Sequence, residues 1–188
     1  MKLLLILIFH PSHIIKSRDR VHPLLLHAAV LGYVAAVGYA FQFLFPRLLN
    51  QIPWFGFLRM LFPGNWNPGF SEELFLRGSA MAALVIGLYV LVYWLGSFVT
   101  PGRAKSPMAC YLAGLATCIP ILITCVAAFF AQPFHELFGL LPAYGLLAST
   151  CLHVILLKDL YGFSRPVTIY LAPLVLGTQV CGSYLLLP

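Results

Sequence analysis

Two adjacent glutamates and an arginine stand at the start of a long apolar run. They are Glu72, Glu73 and Arg77, in the stretch FSEELFLRG. A glutamate can act as a general base on water when a partner such as histidine lies within hydrogen-bond reach. His135 and His153 could supply one, but they are 18 residues apart, which is about 27 Å along a helix. At most one of them can reach the glutamates.

The same residues also fit the beginning of a helix. Pro68 and Gly69 interrupt the chain, and Ser71 is a good N-cap for a helix that starts immediately after it. The two glutamates then fill the first turn, where the helix dipole favours acids. Arg77 lies four residues after the second acid and can pair with it on one helix face. The sequence therefore predicts a helix start here, with catalysis as the alternative.

Composition identifies the solvent around the chain. Of its 188 residues, 61% are hydrophobic and 9% are charged. A soluble domain of this size cannot bury so much apolar surface, so lipid must surround most of it. The apolar runs lack the polar alternation of barrel strands, which leaves helices as the spanning structure. We predict an all-α, polytopic membrane protein with a single membrane domain over residues 1–188.

Five apolar runs of about 20 residues are long enough to cross a bilayer as helices. We expect spans over about 23–45, 78–99, 107–130, 137–157 and 167–187. The N-terminal MKLLLILIF is short and no small-residue cleavage site follows it, so an interfacial segment over about 1–20 fits better than a signal peptide. The fold expected is a bundle of five transmembrane helices with this interfacial segment.

The basic residues predict an orientation. With the N-terminus cytoplasmic, eight of the eleven lysines and arginines lie on the inner side, and Arg47, Arg59 and Arg77 lie outside. The C-terminus is then outside. The net charge of +6 is spread over short loops beside the membrane, where anionic lipid headgroups are its natural partners. Nucleic acid is not an expected partner.

No cofactor or metal is predicted. The five cysteines form no CxxC pair and no Cys–His metal spacing, so they are interpreted as small packing residues. His153 lies inside a predicted span, where ionisable groups are functional candidates. The interpretation favoured here is a neutral imidazole that donates a hydrogen bond to a carbonyl of a neighbouring helix.

Two kinds of surface could mediate association. Gly114, Gly145 and Gly177 are each followed four residues later by another small residue, a spacing that lets helix backbones approach closely in a membrane. The loop after the first span contains Trp54, Phe57 and Trp66. These aromatic residues suit an interfacial belt or a docking surface for another membrane protein.

The group E-E-x-x-x-R formed by Glu72, Glu73 and Arg77 resembles the signature of CAAX-type intramembrane proteases. That resemblance implies a glutamate that activates water, with histidines from other helices completing the site. The family's second element has no counterpart in GSFVTPGRA, which lacks histidine, and its third would need Asn or Asp where Leu157 follows His153. Of the histidines, His135 is the one that could serve the glutamates.

The whole chain resembles the Yip-domain family of five-span membrane proteins. The match begins at IFHPSHIIKSRDRVHPLLLHAAVLGYVAAVG, continues at YLAGLATCIPIL, and ends in the region that begins LLPAYGLLASTCLHVILLKD. This resemblance implies an interaction or membrane-organising role without catalysis.

These observations lead to one preferred function and two alternatives. We expect a non-enzymatic protein of the bacterial inner membrane that associates laterally with other membrane-protein subunits, as an accessory or assembly subunit of a complex. The alternatives are a glutamate-dependent intramembrane protease and a small transporter or channel.

Overall fold

The described part of the chain is helical. The computed structural model describes residues 22–51, 71–99, 107–130 and 135–164, and beyond these 166–167, 169–171 and 173–177. It contains four long helices: α1 (Pro23–Gln51), α2 (Glu72–Val99), α3 (Pro107–Phe130) and α4 (His135–Tyr161). Each is long and apolar enough to cross a membrane. Its described residues are those of an all-helical integral membrane protein.

The helices agree with four predicted spans and extend three of them. Helix α3 covers the predicted range of 107–130. Helix α1 continues through Pro46 to Gln51, α2 begins at Glu72 rather than at residue 78, and α4 extends past both predicted ends. The predicted limits were set by apolar runs, whereas helical hydrogen bonding continues past the first polar residue.

The fifth predicted span is described in part. Residues 166–167, 169–171 and 173–177 are helical, and Val175 joins the main hydrophobic core. Residues 178–187 lie outside the described part of the chain. The predicted interfacial segment and the loop with Trp54, Phe57 and Trp66 also lie outside it.

Helix α3 is the central helix of the bundle. In its most apolar window 61% of the residues are buried, against 28% to 33% in the windows of the other three helices. It contacts α1, α2 and α4. Its buried face is made of small side chains such as Ala113, Ala116 and Cys118, which allow three neighbours to approach one helix axis.

Glycines mark the closest contacts between helices. A Cβ atom at Gly78 of α2 would lie 2.6 Å from Cβ of Phe41 on α1. A Cβ at Gly114 of α3 would lie 2.6 Å from Cγ2 of Val90 on α2. Gly145 of α4 faces Thr124 of α3 in the same way. Gly114 and Gly145, which were predicted as interaction faces, therefore lie at helix contacts within the chain.

Candidate functional site

The glutamate pair begins helix α2. The hydroxyl Oγ of Ser71 lies 3.3 Å from the backbone N of Leu74 and accepts its hydrogen bond, as an N-cap does. Both glutamates are exposed in the first turn. Arg77 donates to a carboxylate oxygen of Glu73 at 2.5 Å. The predicted helix start and its ion pair are present in the structure.

His153 stands apart from this pair. His135 is the first residue of α4, and its side chain lies outside the described part of the structure. His153 is fully buried and its Nδ1 is bonded to Tyr93. Among the described residues, no three His, Cys, Asp or Glu side chains lie close enough to hold a metal ion. The structure does not bring His153 to the glutamates.

A buried polar cluster joins α2, α3 and α4 instead. Tyr93 of α2, Thr117 of α3 and His153 of α4 each have no exposed surface. The Tyr93 hydroxyl lies 2.9 Å from Oγ1 of Thr117 and 3.0 Å from Nδ1 of His153. The imidazole also contacts the rings of Tyr89 and Tyr93, at centroid distances of 4.8 Å and 5.0 Å. Three helices thus meet at one tyrosine hydroxyl.

The hydrogen positions in this cluster follow from the number of donors. The Thr117 hydroxyl donates to the carbonyl oxygen of Ala113 at 2.7 Å, so its oxygen must accept the hydrogen of Tyr93. The Tyr93 oxygen can then only accept from His153. All three contacts are satisfied together when His153 carries its proton on Nδ1 and leaves Nε2 unprotonated.

A second chain of hydrogen bonds runs beside the first. Ser149 of α4 donates to the carbonyl oxygen of Thr117 at 2.5 Å, and its own oxygen lies 3.1 Å from the hydroxyl of Tyr89. Because the serine hydrogen is used, Tyr89 must donate to it. Tyr89 and Tyr93 lie one helical turn apart on α2, as Ser149 and His153 do on α4. The two pairs therefore face each other across the bundle.

A third contact lies at the end of the cluster nearest to the C-terminus of α4. The Tyr161 hydroxyl donates to the carbonyl oxygen of Tyr93 at 2.6 Å. Sγ of Cys110 lies 3.5 Å from the same hydroxyl. The hydrogen of Tyr161 is used, so the thiol is the donor in this contact. Cys110 thus has a polar contact as well as the packing role predicted for it.

This cluster fixes the relative positions of helices. Its hydroxyls pair with one another or with backbone carbonyls. Each bond between two helices fixes how one helix is rotated about its axis and shifted along that axis relative to the other. His153 was expected to donate to a backbone carbonyl, whereas it donates to a side-chain hydroxyl. These bonds restrain how α2, α3 and α4 pack against one another.

The buried tyrosines of this cluster were not predicted from the sequence. Tyr89, Tyr93 and Tyr161 are fully or almost fully buried, although tyrosine in a membrane protein is expected first at the interface. The available signal was the spacing of four between Tyr89 and Tyr93, matched by the spacing of four between Ser149 and His153. Pairing these two patterns requires knowing which helix faces pack together.

Comparison of the chain with protein-family models, with curated proteins and with solved structures found no match. The Yip-domain and CAAX-protease resemblances therefore remain predictions from the sequence.

Proposed function

We propose that this protein is a non-enzymatic membrane protein that works by lateral association with other membrane-protein subunits, as an accessory or assembly subunit. The observation that supports it most directly is an exposed face of small residues on α1. This small-residue face consists of Ala28, Gly32, Ala35 and Ala36, all exposed. A Cβ placed at Gly32 would meet no atom within 4 Å in the described part of the structure.

Four other glycines of the bundle lie at contacts between helices and provide a comparison for this face. Gly38, on the same helix, packs against Phe75 and Ser79 of α2. Gly78, Gly114 and Gly145 likewise lie against a neighbouring helix. In this chain glycine is thus repeatedly the residue at which two helices meet. Gly32 has the same residue type without a neighbouring helix among the described residues.

The membrane makes such a face suitable for association. Lipid tails are as apolar as leucine, so helices adhere by close van der Waals packing rather than by the hydrophobic effect. Small side chains allow that close approach, whereas large ones such as Leu31, which is 69% exposed, hold a neighbouring backbone away. Helix α2 offers a smaller uncovered site of the same kind at Gly87.

The experiment compares three variants in native membranes. Gly32→Leu fills the small-residue face and is expected to lose a co-purifying partner in mild detergent while the protein still folds. Cys151→Leu adds bulk at an exposed position of α4 and should keep the partner. A stoichiometric partner retained by Gly32→Leu would show that the face is not the association site. A wild-type protein that crosslinks to no other protein would refute the proposal.

The finer architecture belongs to the same proposal. A fifth span over about 167–187 and an interfacial segment over about 1–20 would complete the Yip-like layout. The distribution of lysine and arginine supports a cytoplasmic N-terminus. The short predicted loops and the compact length favour a bacterial inner membrane. Reporter fusions after each predicted span test this topology. A reporter at the C-terminus that is active in the cytoplasm would contradict five spans with the N-terminus inside.

Glu73→Gln separates this proposal from an intramembrane protease. An accessory subunit should keep its partner and its cellular phenotype after the substitution. A protease would lose its activity, and its uncleaved substrate would accumulate with the variant. Because Glu73 is exposed and paired with Arg77, the substitution should leave the fold intact in either case.

A further inference from the structure

The contact between α1 and α2 contains a second group of buried polar atoms, separate from the His153 cluster. Gln42 of α1 has no exposed surface. Neither its Nε2 nor its Oε1 has a hydrogen-bond partner in the described part of the protein, and the same holds for Oγ of Ser79 on α2. All three atoms lie within helices that span the membrane.

Gln42 and Ser79 lie on the same contact between these helices. The Ser79 hydroxyl occupies the space in which a Cβ of Gly38 would stand. Gln42 follows Gly38 by one helical turn, and side chains on a helix lean toward its N-terminus. The amide of Gln42 is therefore directed over the turn that Ser79 faces. Gly38 itself adds no side chain to this contact.

We propose that one enclosed water molecule bridges the Gln42 amide and the Ser79 hydroxyl between α1 and α2. Unpaired polar groups in an apolar interior are costly, and buried waters bind where two to four polar partners converge. A water molecule can accept from the N–H of Gln42 and donate to an oxygen of Gln42 or Ser79. It satisfies a donor and an acceptor at the same site.

The chemistry of the site favours water over a monovalent cation. The two side chains are neutral, and a cation would be bound by their oxygens while the Gln42 N–H groups stayed unpaired. Pro46 adds one further acceptor to the same end of α1. It has no N–H, so the backbone carbonyl of Gln42 lacks the donor that a helix normally provides. Ordered water is one of the groups that pair such carbonyls in membrane helices.

Water-edited solid-state NMR of the protein in lipid bilayers tests this proposal. With glutamine labelled in its side-chain nitrogen and leucine in its backbone nitrogen, the side-chain amide signal that disappears in Gln42→Leu belongs to Gln42. That signal should receive magnetisation from water at short mixing times, whereas the backbone amide of buried Leu44 should not. Ser79→Ala should weaken the transfer to Gln42, since the water loses one of its partners. Transfer to Gln42 as slow as that to Leu44 would overturn the proposal.

A thermal measurement distinguishes water from a cation. The unfolding temperature in detergent should be the same in sodium chloride, potassium chloride and choline chloride at equal ionic strength. A higher temperature in sodium or potassium that disappears in Gln42→Leu would identify a cation site and overturn the proposal. Ser79→Ala should lower the temperature less in a Gln42→Leu background than in the wild type. Equal losses in both backgrounds would show that the two residues share no bridge.

Discussion

The Nδ1 atom of His153 on α4 lies 3.0 Å from the hydroxyl oxygen of Tyr93 on α2, and both side chains are fully buried. Thr117 of α3 completes the contact at 2.9 Å from the same oxygen. One hydroxyl therefore connects three helices. Its loss should affect the stability of the bundle more than the loss of any exposed hydroxyl.

Tyr93→Phe removes this hydroxyl and keeps the ring. His153 then has a buried N–H without a partner, which should lower the free energy of unfolding by about 1–3 kcal/mol. Thermal unfolding followed by circular dichroism in mild detergent measures the effect. Tyr39→Phe is the matched control, because the Tyr39 side chain is 51% exposed. Equal losses in the two variants would contradict the role assigned to Tyr93.

His153→Leu should reduce the cost of Tyr93→Phe. Leucine fills a similar volume and has no N–H to leave unpaired, and replacing both partners of a buried bond by apolar groups can be nearly neutral. We expect a coupling free energy of about 0.5–3 kcal/mol between the two substitutions. A double-mutant cycle of unfolding temperatures measures it. Additive losses would show that the two side chains do not interact.

The tautomer of His153 can be observed directly. The hydrogen-bond chain from His153 through Tyr93 to Thr117 requires a proton on Nδ1 and none on Nε2. Nitrogen NMR of histidine-labelled protein at neutral pH should show this neutral tautomer for the signal that is missing in His153→Leu. A proton on Nε2 and none on Nδ1 would mean that Tyr93 donates to His153 and that Thr117 donates to Tyr93 instead of to the carbonyl oxygen of Ala113.

Two glycines of α2 should respond differently to the same substitution. In Gly78→Ala the new Cβ would lie 2.6 Å from Cβ of Phe41, so the helices must separate, at a cost of about 1–3 kcal/mol. In Gly87→Ala the new Cβ meets no atom within 4 Å in the described part of the structure. That substitution should leave the unfolding temperature unchanged or raise it slightly, because alanine favours helix. A larger loss for Gly87→Ala would contradict this packing.

The N-cap should contribute more than the ion pair to the stability of the first turn of α2. Ser71→Ala leaves the N–H of Leu74 without its acceptor and should cost about 1 kcal/mol. Glu73→Gln removes an ion pair whose glutamate side chain is 71% exposed, and exposed pairs contribute about 0–1 kcal/mol. Unfolding temperatures of the two variants test the order. A larger loss for Glu73→Gln would assign Glu73 a role beyond the helix start.

The class of the protein and most of its local structure can be predicted from the amino-acid sequence. A hydrophobic content of 61% excludes a soluble fold. The apolar run over 107–130 predicts α3 with the same first and last residues that the helix has in the structure. The start of α2 is also predictable, from Ser71, Glu72, Glu73 and Arg77. Capping, and ion pairing between residues four positions apart, are local interactions. Such features depend on neighbours along the chain, so they can be read from it.

The helix faces that contact one another could be identified only in the folded bundle. Gly114 and Gly32 are both small residues in apolar helices, yet Gly114 lies against Val90 and Gly32 has no neighbour among the described residues. The bond between Tyr93 and His153 joins residues 60 positions apart. In a membrane most side chains are apolar on every face of a helix, so hydrophobic periodicity does not indicate the buried side. The rotation of each helix is decided by contacts between helices, and these exist only in the folded bundle.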